Sequence, residues 1–177
     1  MSTKKSLFLW GGFTTVAYAL TQLFQSTDIL GHTSVTAMWG AAFFAPIVVA
    51  IKDWPVKKNT TLIDGDETGA FWTGLCLLGM SVTFFSLTTE SHDFKHFSFR
   101  TLWFIVGALG FVYVGAKALG KRRLCYLFLS VINLLVAVVL FVNYDLLKPV
   151  AFGLAVIIQG LPIIVDGLTY QEDNVVG

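Results

Sequence analysis

The chain has 177 residues, of which 55% are hydrophobic and 13% are charged, and its formal net charge is +1. Soluble domains carry about 25% charged residues, so this composition excludes an ordinary soluble domain. The near-neutral charge also argues against a nucleic-acid partner.

The charged residues are segregated along the chain. Lys, Arg, Asp and Glu are absent from six windows, at 6–27, 29–51, 68–89, 101–116, 124–144 and 149–165. A helix needs about 20 apolar residues to cross a hydrocarbon core about 30 Å thick. The alternative, a closed barrel, would show alternating strands rather than continuous apolar runs. The sequence therefore predicts an all-α integral membrane bundle of six transmembrane helices.

The connections between these helices give the orientation. We place the helices in one domain covering 1–177, at about 6–27, 30–51, 68–89, 100–118, 124–144 and 148–166. Nine Lys and Arg residues lie in the N-terminal tail and the connections 52–67 and 117–123, whereas three lie in the connections on the opposite side. Short cytoplasmic connections are enriched in Lys and Arg. This bias predicts a multi-pass protein of the cell membrane with both termini in the cytoplasm.

The first predicted helix carries a stripe of uncharged polar side chains on one face. Its members recur at helical spacing: Thr14, Tyr18, Thr21, Gln22 and Gln25. Such a stripe is compatible with a path for a polar solute. It is equally compatible with hydrogen bonds that hold helices together in lipid. The sequence leaves both alternatives open.

Glycine is frequent within the predicted helices, and Pro46 and Pro162 fall inside the second and the sixth. Small residues allow membrane helices to approach closely, so the glycines predict packing surfaces. A proline inside a helix removes a backbone hydrogen bond and kinks or interrupts the helix. Lipid offers no partner for the carbonyls freed near Pro162. That part of the sixth helix is therefore expected to face protein or a polar path.

Two amide side chains and one acid lie within or beside the last two helices. Asn133 and Gln159 need hydrogen-bond partners in a low-dielectric setting. They are candidates to bind a carboxylate or amide solute, or to bond to one another or to a carbonyl freed by Pro162. We favour a place for Gln159 on the solute path. Asp166 fits either a proton relay or an acid at the membrane interface.

The histidines His32, His92 and His96 are on the predicted outer side. The spacing of the last two is compatible with metal binding or pH sensing, but the phenylalanines around them indicate a short interfacial segment. Cys76 and Cys125 lie in apolar windows and are interpreted as small core residues. The sequence carries no nucleophile–base set, metal motif or nucleotide-binding loop, so we expect no catalytic residue, metal or cofactor.

Several short motifs occur in the order found in one known family. They are Gly-Phe-Thr-Thr at 12–15, Lys-Lys-Asn-Thr at 57–60, Gly-Ala-Phe-Trp at 69–72, Gly-Lys-Arg-Arg at 120–123 and Leu-Phe-Leu-Ser at 127–130. On these stretches the chain resembles the acetate uptake transporter (succinate–acetate permease) family. The Asn-Pro-Ala-Pro-Leu-Gly-Leu signature that this family carries before its first helix is absent.

The resemblance implies a homo-oligomeric, channel-like transporter in the lipid bilayer. Its expected small-molecule solute is a short monocarboxylate such as acetate, passing beside the first, third, fifth and sixth helices. The candidate residues of the solute path are Phe13, Thr14, Trp72, Val131, Asn133 and Gln159. The alternatives are a urea or short-amide channel and a non-transporting scaffold subunit. In a scaffold subunit, the polar groups should be paired with each other and no continuous path should exist.

Overall fold

The structure is a computed structural model that describes residues 3–27, 34–35, 37–40 and 66–169. These residues form helices and short connections, and no strand occurs among them. The helices are α1 (Thr3–Thr27), α2 (Asp66–Leu87), α3 (His92–Lys117), α4 (Gly120–Val142), the short α5 (Tyr144–Leu147) and α6 (Ala151–Thr169). Most of the predicted helix 30–51 with Pro46, nearly all of the connection 52–67 and the C-terminal tail lie outside the described residues.

Four of these helices are long and apolar enough to cross a membrane: α1 through Leu7–Gln25, and α3, α4 and α6 over their whole lengths. Within α2, Gly74–Leu87 forms a shorter apolar helix. The all-α class is therefore confirmed, and the helices fit a membrane-embedded bundle. The described residues contain four candidate spans, where the whole sequence predicted six.

Helix α3 begins well before its predicted start at residue 100. The backbone N–H of Phe94 donates to the Ser91 hydroxyl at 3.3 Å, and Asp93 lies in the first turn, where a helix favours a negative charge. Residues 92–99, interpreted from the sequence as an interfacial segment, are therefore the first turns of a spanning helix. The π-helical segment Phe97–Thr101 follows, and Arg100 lies within it, well inside the helix rather than at its first residue.

The helices pack as two antiparallel pairs. Helix α1 runs along α6, and α3 runs along α4, while α2 packs on α3. One apolar core surrounds Phe104, Leu140 and Phe152, and a second surrounds Phe111 and Tyr126. The two cores lie on either side of an interior where polar side chains of α1, α4 and α6 meet.

The contact between α1 and α6 depends on glycine. Three glycines recur at every seventh residue of α6 and face three residues of α1 with the same spacing, as the pairs Gly153–Gln22, Gly160–Thr15 and Gly167–Phe8. A Cβ at Gly167 would come within 2.7 Å of the Phe8 backbone nitrogen. Only glycine allows this approach, so at this interface the predicted role of the glycines in packing is confirmed.

The variant Gly11→Ala is expected to destabilise the protein, whereas Gly12→Ala is expected to be tolerated. A Cβ at Gly11 would lie 2.6 Å from the backbone nitrogen of Ile164, but at Gly12 no atom lies within 4 Å. Overpacking of this kind costs about 1–3 kcal/mol, whereas Ala in an open helical position is favoured over Gly. Thermal unfolding midpoints in one detergent measure the difference. A lower midpoint for Gly12→Ala than for Gly11→Ala would contradict the packing of α1 on α6.

Candidate functional site

An irregular segment of α6 holds Gln159 in the interior of the bundle. Pro162 has no N–H to donate to the carbonyl four residues before it. The helix takes π geometry over Val156–Gly160 and returns to α geometry at Leu161. π segments often occur at functional sites. The break predicted near Pro162 is thus a local change of helix type, and Gln159 within it is only 4% exposed.

Gln159 joins Tyr18 of α1 to Asn133 of α4. The Tyr18 hydroxyl donates to Gln159 Oε1 at 2.7 Å, and Gln159 Nε2 donates to Asn133 Oδ1 at 2.6 Å. Asn133 Nδ2 donates to the Leu129 carbonyl at 2.8 Å. All three side chains are buried, and each has a partner, as buried polar groups require. This chain of hydrogen bonds, which we call the amide network, links three helices.

The backbone of α3 closes over the amide network at Gly107. A Cβ there would lie 2.8 Å from Gln159 Cδ and 3.1 Å from Asn133 Oδ1. A larger residue at this position would therefore displace the network. Gln159 Nε2 also points toward the Trp103 carbonyl, at the long distance of 3.4 Å.

An aromatic cavity of about 20 Å³ lies beside the amide network. Its lining is Tyr18, Val35, Trp39, Met80, Thr83, Phe99, Trp103 and Phe152. The rings of Tyr18 and Trp39 are 4.8 Å apart, and those of Trp39 and Trp103 stack at 5.8 Å. A space of this size holds about one water molecule. The hydroxyl of Tyr18 therefore belongs both to the wall of the cavity and to the amide network.

The other polar side chains of the α1 stripe bond to backbone or to other helices. Gln22 Nε2 donates to the Pro149 carbonyl at 2.6 Å, and Gln22 Oε1 accepts from the Gly153 N–H at 2.9 Å. Thr21 receives the indole N–H of Trp39 at 2.7 Å and donates to the Ala17 carbonyl. Such contacts fit the second alternative for the stripe, in which its side chains hold helices together.

Arg100 lies inside the bundle at the end where α3 and α6 begin, and only 5% of it is exposed. Its Nη1 donates to the Tyr144 hydroxyl, and its Nη2 donates to Gln25 Oε1 at 2.6 Å. The guanidinium carbon lies 5.3 Å from the centre of the Tyr144 ring and 5.5 Å from that of Phe152. No carboxylate of the described residues forms an ion pair with Arg100. A buried charge without a counter-ion is unusual.

Asp166 lies at the opposite end of the bundle in a bidentate ion pair. Its two oxygens accept from Arg122 Nε and Nη2, both at 2.7 Å, and its Oδ2 also accepts from the Tyr126 hydroxyl at 2.5 Å. This is the planar fork geometry that Arg prefers with carboxylates. The contacts give Asp166 a role in joining α4 to α6, which is closer to the interfacial alternative than to a relay.

The structure brings together two of the six candidate path residues, Asn133 and Gln159. The hydroxyl of Thr14 donates to the Trp10 carbonyl of its own helix. Trp72 packs edge-on against Phe111, in the space that Gly110 leaves open.

Phe13 and Val131 lie on the outer surface of the described bundle, 38% and 53% exposed. Among the described residues, neither is therefore brought together with the amide network. Helix length and composition do not reveal which face of a helix turns inward, and for these two residues the apolar character alone was uninformative.

The predicted site did not include Tyr18, Trp39, Trp103 or Arg100. Tyr18 was part of the polar stripe, which was the available signal. Arg100 borders the charge-free window 101–116, at the predicted start of the helix 100–118, and was not proposed as a site residue. Trp39 and Trp103 lack a local signal, because their meeting depends on how three helices rotate against each other.

The histidine pair His92 and His96 lies in the first turns of α3, with ring centroids 6.4 Å apart. The ring of His96 stacks on Tyr144 at 4.2 Å. No group of three metal-ligating side chains occurs in the described parts of the chain. The geometry therefore gives His96 an aromatic packing role beside the Arg100 cluster, the group of contacting side chains formed by Arg100, Gln25, Tyr144 and Phe152.

Comparison with known proteins adds no relative. No protein-family model matches the chain, and no curated protein and no solved structure matches it. The resemblance to the acetate uptake transporter family thus stays a prediction, and the site stands on its geometry alone.

Proposed function

We propose that the chain is a channel-like transporter that carries a small polar solute through the interior of its bundle. The observation that supports this is the aromatic cavity beside the amide network. It sets polar hydrogen-bonding groups against a wall of five aromatic side chains, and ligand sites typically combine an apolar lining with a few placed polar groups.

The solute enters, in this proposal, from the end of the bundle that holds Arg100. Phe99 precedes Arg100 in α3 and lines the cavity, and Phe152 lies both under the guanidinium and in the cavity wall. From the cavity, the proposed path continues past the Tyr18 hydroxyl to the amides of Gln159 and Asn133. The described conformation is closed, because about 20 Å³ accommodates about one water and not a carboxylic acid.

Opening requires the Tyr18–Gln159 hydrogen bond to break. The π segment of α6 carries Gln159, and π segments are frequent at functional sites. We place the Arg100 end outside and both termini in the cytoplasm, on the Lys and Arg bias of the connections. The solute proposed from the resemblance is a short monocarboxylate such as acetate, with urea as the alternative.

The variant Val35→Phe is expected to lower solute uptake strongly, whereas Val131→Phe leaves it near that of the parent protein. Val35 is buried in the cavity wall, so the added ring volume fills the cavity, while Val131 is exposed on the outer surface. The measurement is uptake of labelled acetate and labelled urea into proteoliposomes, per folded molecule, with protein-free liposomes subtracted. Loss of uptake in Val131→Phe alone would move the path to the outer surface.

The pH dependence of uptake separates the two solutes. Moving an unpaired carboxylate through hydrocarbon costs far more than moving the neutral acid. Uptake of acetate above the protein-free background is therefore expected to rise as the external pH falls toward the pKa of the acid. A flat response between about pH 8 and 5 would count against an acid and favour a urea-like solute.

A second candidate, a non-transporting scaffold subunit, is favoured by the closure of the amide network. Tyr18, Gln159 and Asn133 satisfy each other, as a purely structural set would. This candidate predicts no uptake of either solute above the protein-free background and no effect of Val35→Phe beyond stability.

A further inference from the structure

Two N–H donors in the Arg100 cluster are buried without a partner. They are Arg100 Nε and Gln25 Nε2, and they belong to the two side chains that share the 2.6 Å hydrogen bond. Buried donors without partners are rare, and each calls for a specific explanation. Both orphan groups are donors, so the group that would satisfy them is an acceptor.

The charge of the cluster also indicates a missing acceptor, and one that is negatively charged. The contacts of Arg100 with the described residues are to neutral groups: the Gln25 amide, the Tyr144 hydroxyl and the rings of Tyr144 and Phe152. Burial raises the pKa of Tyr144, so its hydroxyl is not an anionic counter-ion near neutral pH. The described acids that flank Arg100 in the sequence, Glu90, Asp93 and Asp145, are exposed and form no ion pair with it. Within the described residues the positive charge is uncompensated.

The ring contacts hold the guanidinium in place without neutralising it. Aromatic faces attract a cation without using its N–H groups, so Arg100 Nε stays available to donate to a planar anion. Arg100 Nε and one terminal nitrogen form the fork that binds a carboxylate through two parallel hydrogen bonds. Gln25 Nε2 supplies a third donor from α1.

We propose that Arg100 and Gln25 form a binding site for a small oxyanion at this end of the bundle. The ligand is a carboxylate or phosphate-type group, taken from solution as a free short carboxylate or presented by the headgroup of an anionic lipid. The site does not require transport. An oxyanion bound here supplies both the missing negative charge and acceptors for the orphan donors, whereas a neutral solute supplies only an acceptor.

Thermal unfolding of the purified full chain in a neutral detergent tests this. Sodium acetate and sodium formate are compared with sodium chloride at equal ionic strength and with neutral acetamide. Because a ligand that binds only the folded state stabilises it, the carboxylates are expected to raise the midpoint by several degrees beyond the chloride reference. Acetamide is expected to have no such effect. In a second arm, phosphatidylglycerol is compared with phosphatidylcholine.

Variants link the effect to the site. Gln25→Leu is expected to weaken the carboxylate effect at least about tenfold in concentration, as loss of one charge-assisted bond does, and Arg100→Gln to abolish it. Arg123→Gln, at an exposed position of α4, is the matched control and keeps the parental response. Should Arg100→Gln not fold, Gln25→Leu and saturation-transfer NMR on carbon-13 acetate with the parent protein decide the question.

The outcomes are distinct. A response to free carboxylates assigns the site to a solution ligand, and a response to phosphatidylglycerol alone assigns it to a lipid headgroup. Equal responses to acetate, chloride and acetamide, with no lipid preference, would overturn the site, as would an undiminished carboxylate response in both variants. Oxyanion binding without uptake would retain this site and reject the transporter.

Discussion

Asp166→Asn is expected to lower the stability of the folded bundle by about 3 kcal/mol, near the lower end of what breaking a buried ion pair costs. The substitution keeps the shape of the side chain but removes the negative charge that accepts from Arg122 Nε and Nη2 at 2.7 Å. The two side chains are only 14% and 11% exposed, so water replaces these bonds poorly. The Tyr126 hydroxyl loses a charged acceptor as well.

The matched control is Asp145→Asn. Asp145 is exposed in the short helix α5 and takes part in no ion pair among the described residues, so its replacement should shift the unfolding midpoint little. The double variant Asp166→Leu with Arg122→Leu should recover much of the loss, because replacing both members of a buried ion pair by apolar residues is often close to neutral for stability. Equal midpoints for Asp166→Asn and Asp145→Asn would show that the ion pair does not hold α4 to α6.

Most helices of this chain could be predicted from its sequence. Hydrocarbon tolerates few charges, so the charge-free windows locate the helices. The start of α3 shows where the rule fails. Arg100 was taken to end the apolar window, yet the helix begins at His92 and buries that side chain. A membrane helix accepts an Arg that faces protein, and here aromatic rings and neutral acceptors from Gln25 and Tyr144 surround it. These partners come from distant parts of the chain.

The polar residues of the site could be predicted from the sequence, but their arrangement in space could not. Asn133 and Gln159 were recognisable from the sequence as the polar groups that need partners, but whether they bind a solute or each other stayed open. Which alternative holds depends on the rotation of α4 and α6 about their axes, and on the close approach of α3 that Gly107 permits. Hydropathy carries little information about either. The outer positions of Phe13 and Val131 could not be predicted for the same reason, because they also depend on how each helix is rotated about its axis.

Gln159→Leu is expected to destabilise the protein, although the sequence alone favoured a path-lining side chain whose loss alters uptake and leaves stability nearly unchanged. Leu removes the acceptor of the Tyr18 hydroxyl and the donor to Asn133 Oδ1, and both groups stay buried. An unsatisfied buried group costs about 1–3 kcal/mol in water-soluble proteins. Interhelical bonds in membranes average about 0.6 kcal/mol, because polar groups find other partners in the unfolded state. We therefore expect a total loss of about 2 kcal/mol.

A double-mutant cycle between Gln159→Leu and Asn133→Leu isolates the network from other effects of the substitution. Removing both amides leaves only the Tyr18 hydroxyl without its partner, so the double variant should be more stable than the sum of the single losses predicts. The reference cycle pairs Gln159→Leu with Gln22→Leu, whose bonds go to Pro149 and Gly153 and share no partner with Gln159, and it should be additive. Additivity in both cycles, with unchanged stability of Gln159→Leu and altered uptake, would mean that the amide opens to solute in the working protein and that the closed network is only one of its states.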